Sequence, residues 1–200
     1  VTEIKGKERV EGVVISSVDS NFQPVKGSEK LIKCDTLLLS VGLIPENELS
    51  KKAGIELNTA TRGPITTEIM ETSVPGIFTC GNVSTVFDLV DYVAQTGAAA
   101  GTFAARYASG SQASSKQSVE IVASENVRLL FPQRYGFQDD LVLFIRAAEP
   151  VEEPVTIEVE PPGSRINRPY ARPNEMLRVK IPMGKLAEVK QPIRVSIKEK

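Results

Sequence analysis

Three stretches in the second half of the chain alternate strictly between apolar and polar residues. Val155, Ile157 and Val159 alternate with Thr156 and Glu158; Leu177, Val179 and Ile181 with Arg178 and Lys180; Ile193, Val195 and Ile197 with Arg194 and Ser196. A period of two puts one set on a core face and the other in water, so each stretch is a half-buried strand. Leu141–Ala147 and Val127–Phe131 add two strands with weaker alternation. Prolines at 132, 150, 154, 161, 162, 169, 173, 182 and 192 fall between these runs, where a missing N–H and a fixed φ do little harm. With no segment of helix length among them, five or six short strands predict a small antiparallel β-sandwich.

The first half is built differently. Eleven of the 14 glycines precede residue 115, and nine of the 13 prolines follow it. The formal charge is −3 in residues 1–115 (10 basic, 13 acidic) and +2 in 116–200 (14 basic, 12 acidic). Between the halves, residues 108–118 read ASGSQASSKQS, a linker composition. Glu11–Val18 and Leu31–Val41 are strand-like, with turns at Lys5-Gly6 and Pro24–Gly27. Glu46–Ala53 predicts a short helix stopped by Gly54, and Gly76–Cys80 a short buried strand. From Asp88 onward, DLVDYVAQTGAAAGTFAARYA is helical by composition. Asp88 is expected as its N-cap, with Asp91 in the capping-box position. The cluster Gly97, Ala98–Ala100, Gly101, Ala104 and Ala105 predicts a helix lying close against another backbone.

Composition excludes several classes of function. The chain has no histidine, which removes imidazole acid–base chemistry, His triads and His metal sites. A net charge of −1 provides no global field for nucleic acid or an anionic membrane. No apolar run approaches the roughly 18 residues of a membrane span. Cys34 and Cys80 are the two cysteines, far apart in sequence, which suits a reducing, cytoplasmic setting better than a disulfide scaffold. The chain begins at Val1 inside what reads as a strand, as an excised piece of something larger would.

The chemistry concentrates in residues 72–97, TSVPGIFTCGNVSTVFDLVDYVAQTG. This is a strand ending in a Gly-Asn turn, a loop, and a helix with a bare N-terminus. A glycine at the strand end admits a ligand too close for any Cβ. Asn82 can hydrogen-bond a sugar hydroxyl. The first helical turn offers unpaired N–H groups and a partial positive charge to an electron-rich edge.

The pattern T-x-x-P-G-I-F-x-C-G-N before an Ala/Gly-rich helix resembles the second flavin-binding motif of the FAD-dependent pyridine-nucleotide oxidoreductases. Residues 34–47, CDTLLLSVGLIPEN, are similar to the segment by which those proteins pass from the NAD(P)H-binding domain back into the FAD domain. The NVR and PQR segments and the β-rich tail resemble the NAD(FAD)-dependent dehydrogenases associated with anaerobic glycerol-3-phosphate dehydrogenases. The resemblance implies an α/β, Rossmann-like part followed by an all-β part. Residues 1–45 would be the tail of the NAD(P)-binding domain, 46–115 the second half of the FAD-binding domain, and 116–200 the C-terminal β-sandwich.

It further implies that Gly81, Asn82 and Val83 contact the ribityl–phosphate region of FAD, and that Asp88, Leu89 and Val90 approach the pyrimidine end of its isoalloxazine ring. Most of the family has Asp where this chain has Asn82. No G-x-G-x-x-G occurs in the 200 residues, so neither dinucleotide pyrophosphate cradle is among them. No side chain in this stretch is expected to be catalytic and none to bind metal. FAD would do the chemistry in the whole protein, with NAD(P)H as co-substrate, and the 200 residues alone would neither retain FAD tightly nor turn over.

Two readings of function stay open. One is a piece of a flavoprotein oxidoreductase passing hydride from NAD(P)H to FAD and on to an acceptor. The other is an interaction module, whose C-terminal β domain docks a partner dehydrogenase subunit or a second copy in a homodimer. Several side chains carry a plainer reading beside a functional one. Cys80 and Cys34 are expected as small buried hydrophobes rather than redox thiols. Asp88 and Asp91 are expected as helix caps rather than proton donors. Arg165, Arg168 and Arg172, with Tyr170, are expected on a solvated loop rather than on a docking patch for an acidic partner or a nucleotide phosphate.

Overall fold

The computed structural model describes residues 1–40, 42–112, 114 and 117–200. Val41 at the end of the second expected strand lies outside them. So do Ala113, Ser115 and Lys116 of the expected linker, which include the 115/116 domain boundary. The chain forms two compact units, Val1–Gly42 and Leu43–Lys200.

The first unit is a three-stranded antiparallel sheet in the order β1 (Glu3–Lys5), β2 (Gly12–Ile15), β3 (Lys30–Ile32). Glu3 pairs with Val14, and Val13 with Ile32. Gly12 sits where a Cβ would lie 2.9 Å from the Ile32 carbonyl oxygen. Both expected strands are shorter than their apolar runs. The second stops at Ile32, and Leu38 and Leu39 are 90% and 63% exposed. Strand propensity expresses itself only where a neighbouring strand supplies ladder partners, and residues 33–40 have none among the described residues.

The second unit opens with α1 (Glu48–Lys52). Its end is a Schellman motif: Gly54, at φ +71°, donates to the Lys51 carbonyl, and Ile55 donates to that of Ser50. The glycine stop read from the sequence is therefore in place. Residues 53–80 then run as turns held by isolated bridges, Leu57 to Pro64, Thr66 to Thr72 and Glu71 to Phe78. Gly76–Cys80 is extended but is no strand beyond that last bridge, and Cys80 is exposed rather than buried. The Ala/Gly-rich segment is α2 (Val90–Ala108). The expected close backbone approach at its small residues is absent among the described residues: a Cβ at Gly97 or Gly101 would meet nothing within 4 Å.

Eight strands follow: β4 (Val119–Ala123), β5 (Val127–Phe131), β6 (Arg134–Tyr135), β7 (Leu141–Ala147), β8 (Val155–Glu160), β9 (Ser164–Arg168), β10 (Leu177–Ile181) and β11 (Ile193–Glu199). They form a sheet β10-β7-β5 and a sheet β6-β4-β11-β8-β9. The apolar sets read from the sequence face the core: Val155, Ile157 and Val159 are fully buried, as are Ile193 and Val195, although Leu177 is only half-buried and Ser196, expected in water, is buried as well. One core takes Leu143 and Val179 from the first sheet and Ile157 and Ile197 from the second.

The all-antiparallel expectation needs correction, because β11 pairs with β4 in parallel. The residues joining these two strands pass through the other sheet, so a parallel neighbour requires no tight crossover. Within the arginine segment only Tyr170 and Arg172 lie on a loop as expected. Ser164–Arg168 is the strand β9, where Arg165 pairs with Glu158 and Arg168 donates to the Arg178 carbonyl. Arg172 pairs with Glu152 and Glu175 and stacks on Tyr170. All three guanidinium groups are engaged within the chain.

The described residues of the segments 46–115 and 116–200 lie in the one compact unit. A second core joins them, with Met70, Phe87 and Ala100 on one side and Phe131, Phe144 and Met176 on the other. Glu68 is buried and accepts from the N–H groups of Gly136 at 2.6 Å and Gln138 at 2.8 Å. Burial pushes its carboxyl up, against the pull of those bonds. Burial, aided by the Glu68 charge, pushes the Tyr135 phenol up to about 12.

Candidate functional site

Gly81 starts a single 3₁₀ turn, Gly81–Val83. Its φ is +62°, in the left-handed region, and a Cβ there would stand 3.2 Å from Val93 Cγ1. Glycine thus lets the turn tuck under the first turns of α2. The Gly81 N–H donates to Thr96 Oγ1 at 3.1 Å, and that hydroxyl in turn donates back to α2 at the Val93 carbonyl. Turn and helix are thereby bonded together.

Asn82 is half-buried, neither lost in the interior nor fully in solvent. Its Oδ1 accepts from the Phe87 N–H at 3.2 Å. Among the described residues its Nδ2 has no partner, so the amide has a donor to spare and no free carbonyl edge within its own loop. Val83 is 39% exposed and turns its carbonyl inward to the Asn47 Nδ2 at 3.2 Å. Asn47 also donates to the Arg62 carbonyl at 3.0 Å. Next to it, Gly63 approaches so closely that a Cβ would lie 1.9 Å from the Ser84 carbonyl oxygen. The end of the 34–47 segment is thereby fastened to the Gly-Asn turn.

The helix start differs from the capping expectation. The N-cap is Leu89, extended at φ −117° and ψ 136°, with no side-chain cap, and Asp91 closes no capping box. Asp88 instead turns toward the β-rich half. One carboxylate oxygen takes Arg146 Nη2, and the other accepts from the Met176 N–H at 2.5 Å. Each carboxylate oxygen is thus engaged with the β-rich half rather than with the helix it precedes.

The Leu89 carbonyl accepts from the Tyr92 and Val93 N–H groups. The N–H groups of Val90 and Asp91 have no acceptor among the described residues, as the first turn of an uncapped helix leaves them. Leu89 is 49% and Val90 77% exposed, so the helix tip is open. The loop between turn and helix is pinned by Phe87, which packs edge-on against Phe144 at 5.0 Å and Phe131 at 5.8 Å.

Of the six residues singled out by sequence, Gly81, Asn82, Val83, Leu89 and Val90 thus lie on one turn-and-helix-tip element, while the Asp88 side chain leaves it. Asn47, Gly63, Phe87 and Arg146 were not singled out, although each holds that element in place. Asn47 closes the quoted 34–47 segment and Phe87 is apolar inside a polar loop, which were the available signals. Gly63 and Arg146 carried none.

The donors present suit an acceptor-rich ligand: an amide NH₂ and two unpaired helix N–H groups, on a turn that its glycine seats against α2. These are the features that a flavin's ribityl oxygens and pyrimidine edge require, and the element fits the group. In comparison with known proteins, residues 1–113 match the family model described as pyridine nucleotide-disulphide oxidoreductase. No curated protein and no solved structure matches the chain.

Proposed function

Because the chain belongs to the pyridine nucleotide-disulphide oxidoreductase family, we propose that it supplies the second half of an FAD site and the tail of an NAD(P)-binding domain. In this reading the whole protein passes hydride from NAD(P)H to FAD and then electrons to an acceptor. It belongs to the NAD(FAD)-dependent dehydrogenase subgroup found with anaerobic glycerol-3-phosphate dehydrogenases, and residues 116–200 are that subgroup's added β domain. Bound FAD would supply the redox chemistry. The residues of this chain bind and orient. Gly81 seats the turn against the start of α2, Asn82 Nδ2 donates to a ribityl oxygen, and the Val90 and Asp91 N–H groups face the pyrimidine edge.

The observation that carries the reading is the pairing of an unblocked helix tip with a left-handed glycine turn bonded to it through Thr96. The 200 residues contain no G-x-G-x-x-G, so tight FAD retention needs sequence beyond them.

The test is the flavin absorbance of the intact polypeptide and its bleaching by NADH or NADPH. The intact protein should purify yellow and bleach. Gly81→Val should lose the flavin, and the 200-residue chain alone should be colourless. A colourless intact protein, or a Gly81→Val variant with undiminished flavin, refutes the reading.

A further inference from the structure

Arg146 lies on β7, beyond the residues 1–113 that the family model matches. Its guanidinium is only 12% exposed and converges on three carbonyl or carboxylate groups. Nη2 donates to the Val86 carbonyl at 3.1 Å and to an Asp88 carboxylate oxygen, and Nη1 reaches the Pro173 carbonyl at 3.4 Å. The other Asp88 oxygen is held by the Met176 N–H. Val86 and Asp88 flank Phe87 and run directly into Leu89 and Val90, the open tip of α2. A planar cation that grips a carbonyl and a carboxylate in one fork fixes both the position and the direction of the chain between them.

We propose that Arg146 is a positioning residue for the flavin-facing helix tip. Through Val86 and Asp88, the C-terminal β-rich half of the chain sets where the unpaired Val90 and Asp91 N–H groups point. The inference rests on the flavin reading above. It also explains why Asp88 gives up its expected capping role: as the anchor of this clamp, its carboxylate is held away from the helix it precedes. The aromatic packing of Phe87 supplies adhesion, whereas Arg146 supplies orientation, since edge-on rings tolerate small rotations that directional hydrogen bonds from one planar guanidinium to three acceptors do not.

The experiment compares the intact protein with its Arg146→Ala, Arg146→Lys, Asp88→Asn and Lys198→Ala variants. FAD dissociation is followed by flavin fluorescence, the flavin midpoint potential by equilibrium titration, and amide exchange of residues 86–92 by mass spectrometry on the flavin-free protein. Arg146→Ala should weaken FAD binding by about tenfold, the effect of losing one charge-assisted hydrogen-bond set. It should also shift the potential and speed exchange in residues 86–92. Arg146→Lys should recover part of the loss, because an ammonium can meet Asp88 but cannot also bridge Val86 and Pro173.

Lys198→Ala breaks a Lys–Glu pair between β11 and β8 that touches no partner of the clamp and should leave FAD binding and potential unchanged. If Arg146→Ala does not fold, Arg146→Lys and Asp88→Asn carry the same test. An intact wild type that binds FAD, with Arg146 and Asp88 variants matching it in affinity and potential, overturns the inference alone. A wild type that binds no FAD overturns the flavin reading and the inference with it.

Discussion

Phe87→Ala probes what holds the candidate site to the rest of the fold. Phe87 is 6% exposed, and its ring meets those of Phe144 at 5.0 Å, Phe131 at 5.8 Å and Tyr92 at 6.5 Å, all edge-on. Removing a buried Phe side chain forfeits about 2–3 kcal/mol of transfer free energy. The vacated volume is walled by β5, β7 and α2, which leaves little freedom to collapse, so the total loss should reach about 4 kcal/mol. Edge-to-face packing with Phe144 adds a coupling of about 1 kcal/mol.

Urea unfolding of the whole chain, followed by far-UV circular dichroism, measures the first quantity. A Phe87→Leu, Phe144→Leu double-mutant cycle measures the second, with each Leu change costing about 1 kcal/mol. Amide exchange in residues 81–93 should accelerate most, because this loop loses its only large buried side chain among the described residues. A loss in Phe87→Ala below about 1.5 kcal/mol, with no coupling to Phe144, would refute the idea that the aromatic core fastens the loop.

Further outcomes follow from single positions. Gly63→Ala puts a methyl 1.9 Å from the Ser84 carbonyl oxygen; backbone must move, so stability should fall by about 2 kcal/mol or more. A variant as stable as the parent in thermal melting would contradict the close approach. Glu68 has a raised pKa through burial, so its contribution to stability is fullest at low pH and fades as pH rises through the raised value. In Glu68→Gln that titration is gone, and the stability difference should move toward the variant as pH rises above the ordinary carboxylate range. A difference that stays flat on that rise would discount the burial effect. Exposed Cys80 should react with iodoacetamide in the native protein ahead of the half-buried Cys34; mass-mapped labelling in the reverse order would contradict the exposure of Cys80.

Period-two patterning by itself determined the β-rich half, because a strand's buried face is written in every second residue and survives whatever the sheet order is. Glycine punctuation likewise marked the end of α1, since a positive φ at C′ is a local demand. The Gly81-Asn82 motif marked the site for the same reason: a left-handed turn before a helix is local geometry. Only the tertiary structure decided the rest. The apolar runs 31–41 and 76–80 carry strand composition, yet ladders depend on partners that a single segment does not specify. Asp88 had the sequence signature of a cap and became the anchor of a clamp, because Arg146 arrives from a strand far along the chain. A helix cap is chosen among groups within a few residues, whereas an ion pair is chosen by whatever the fold brings alongside, and at Asp88 the nonlocal partner prevailed.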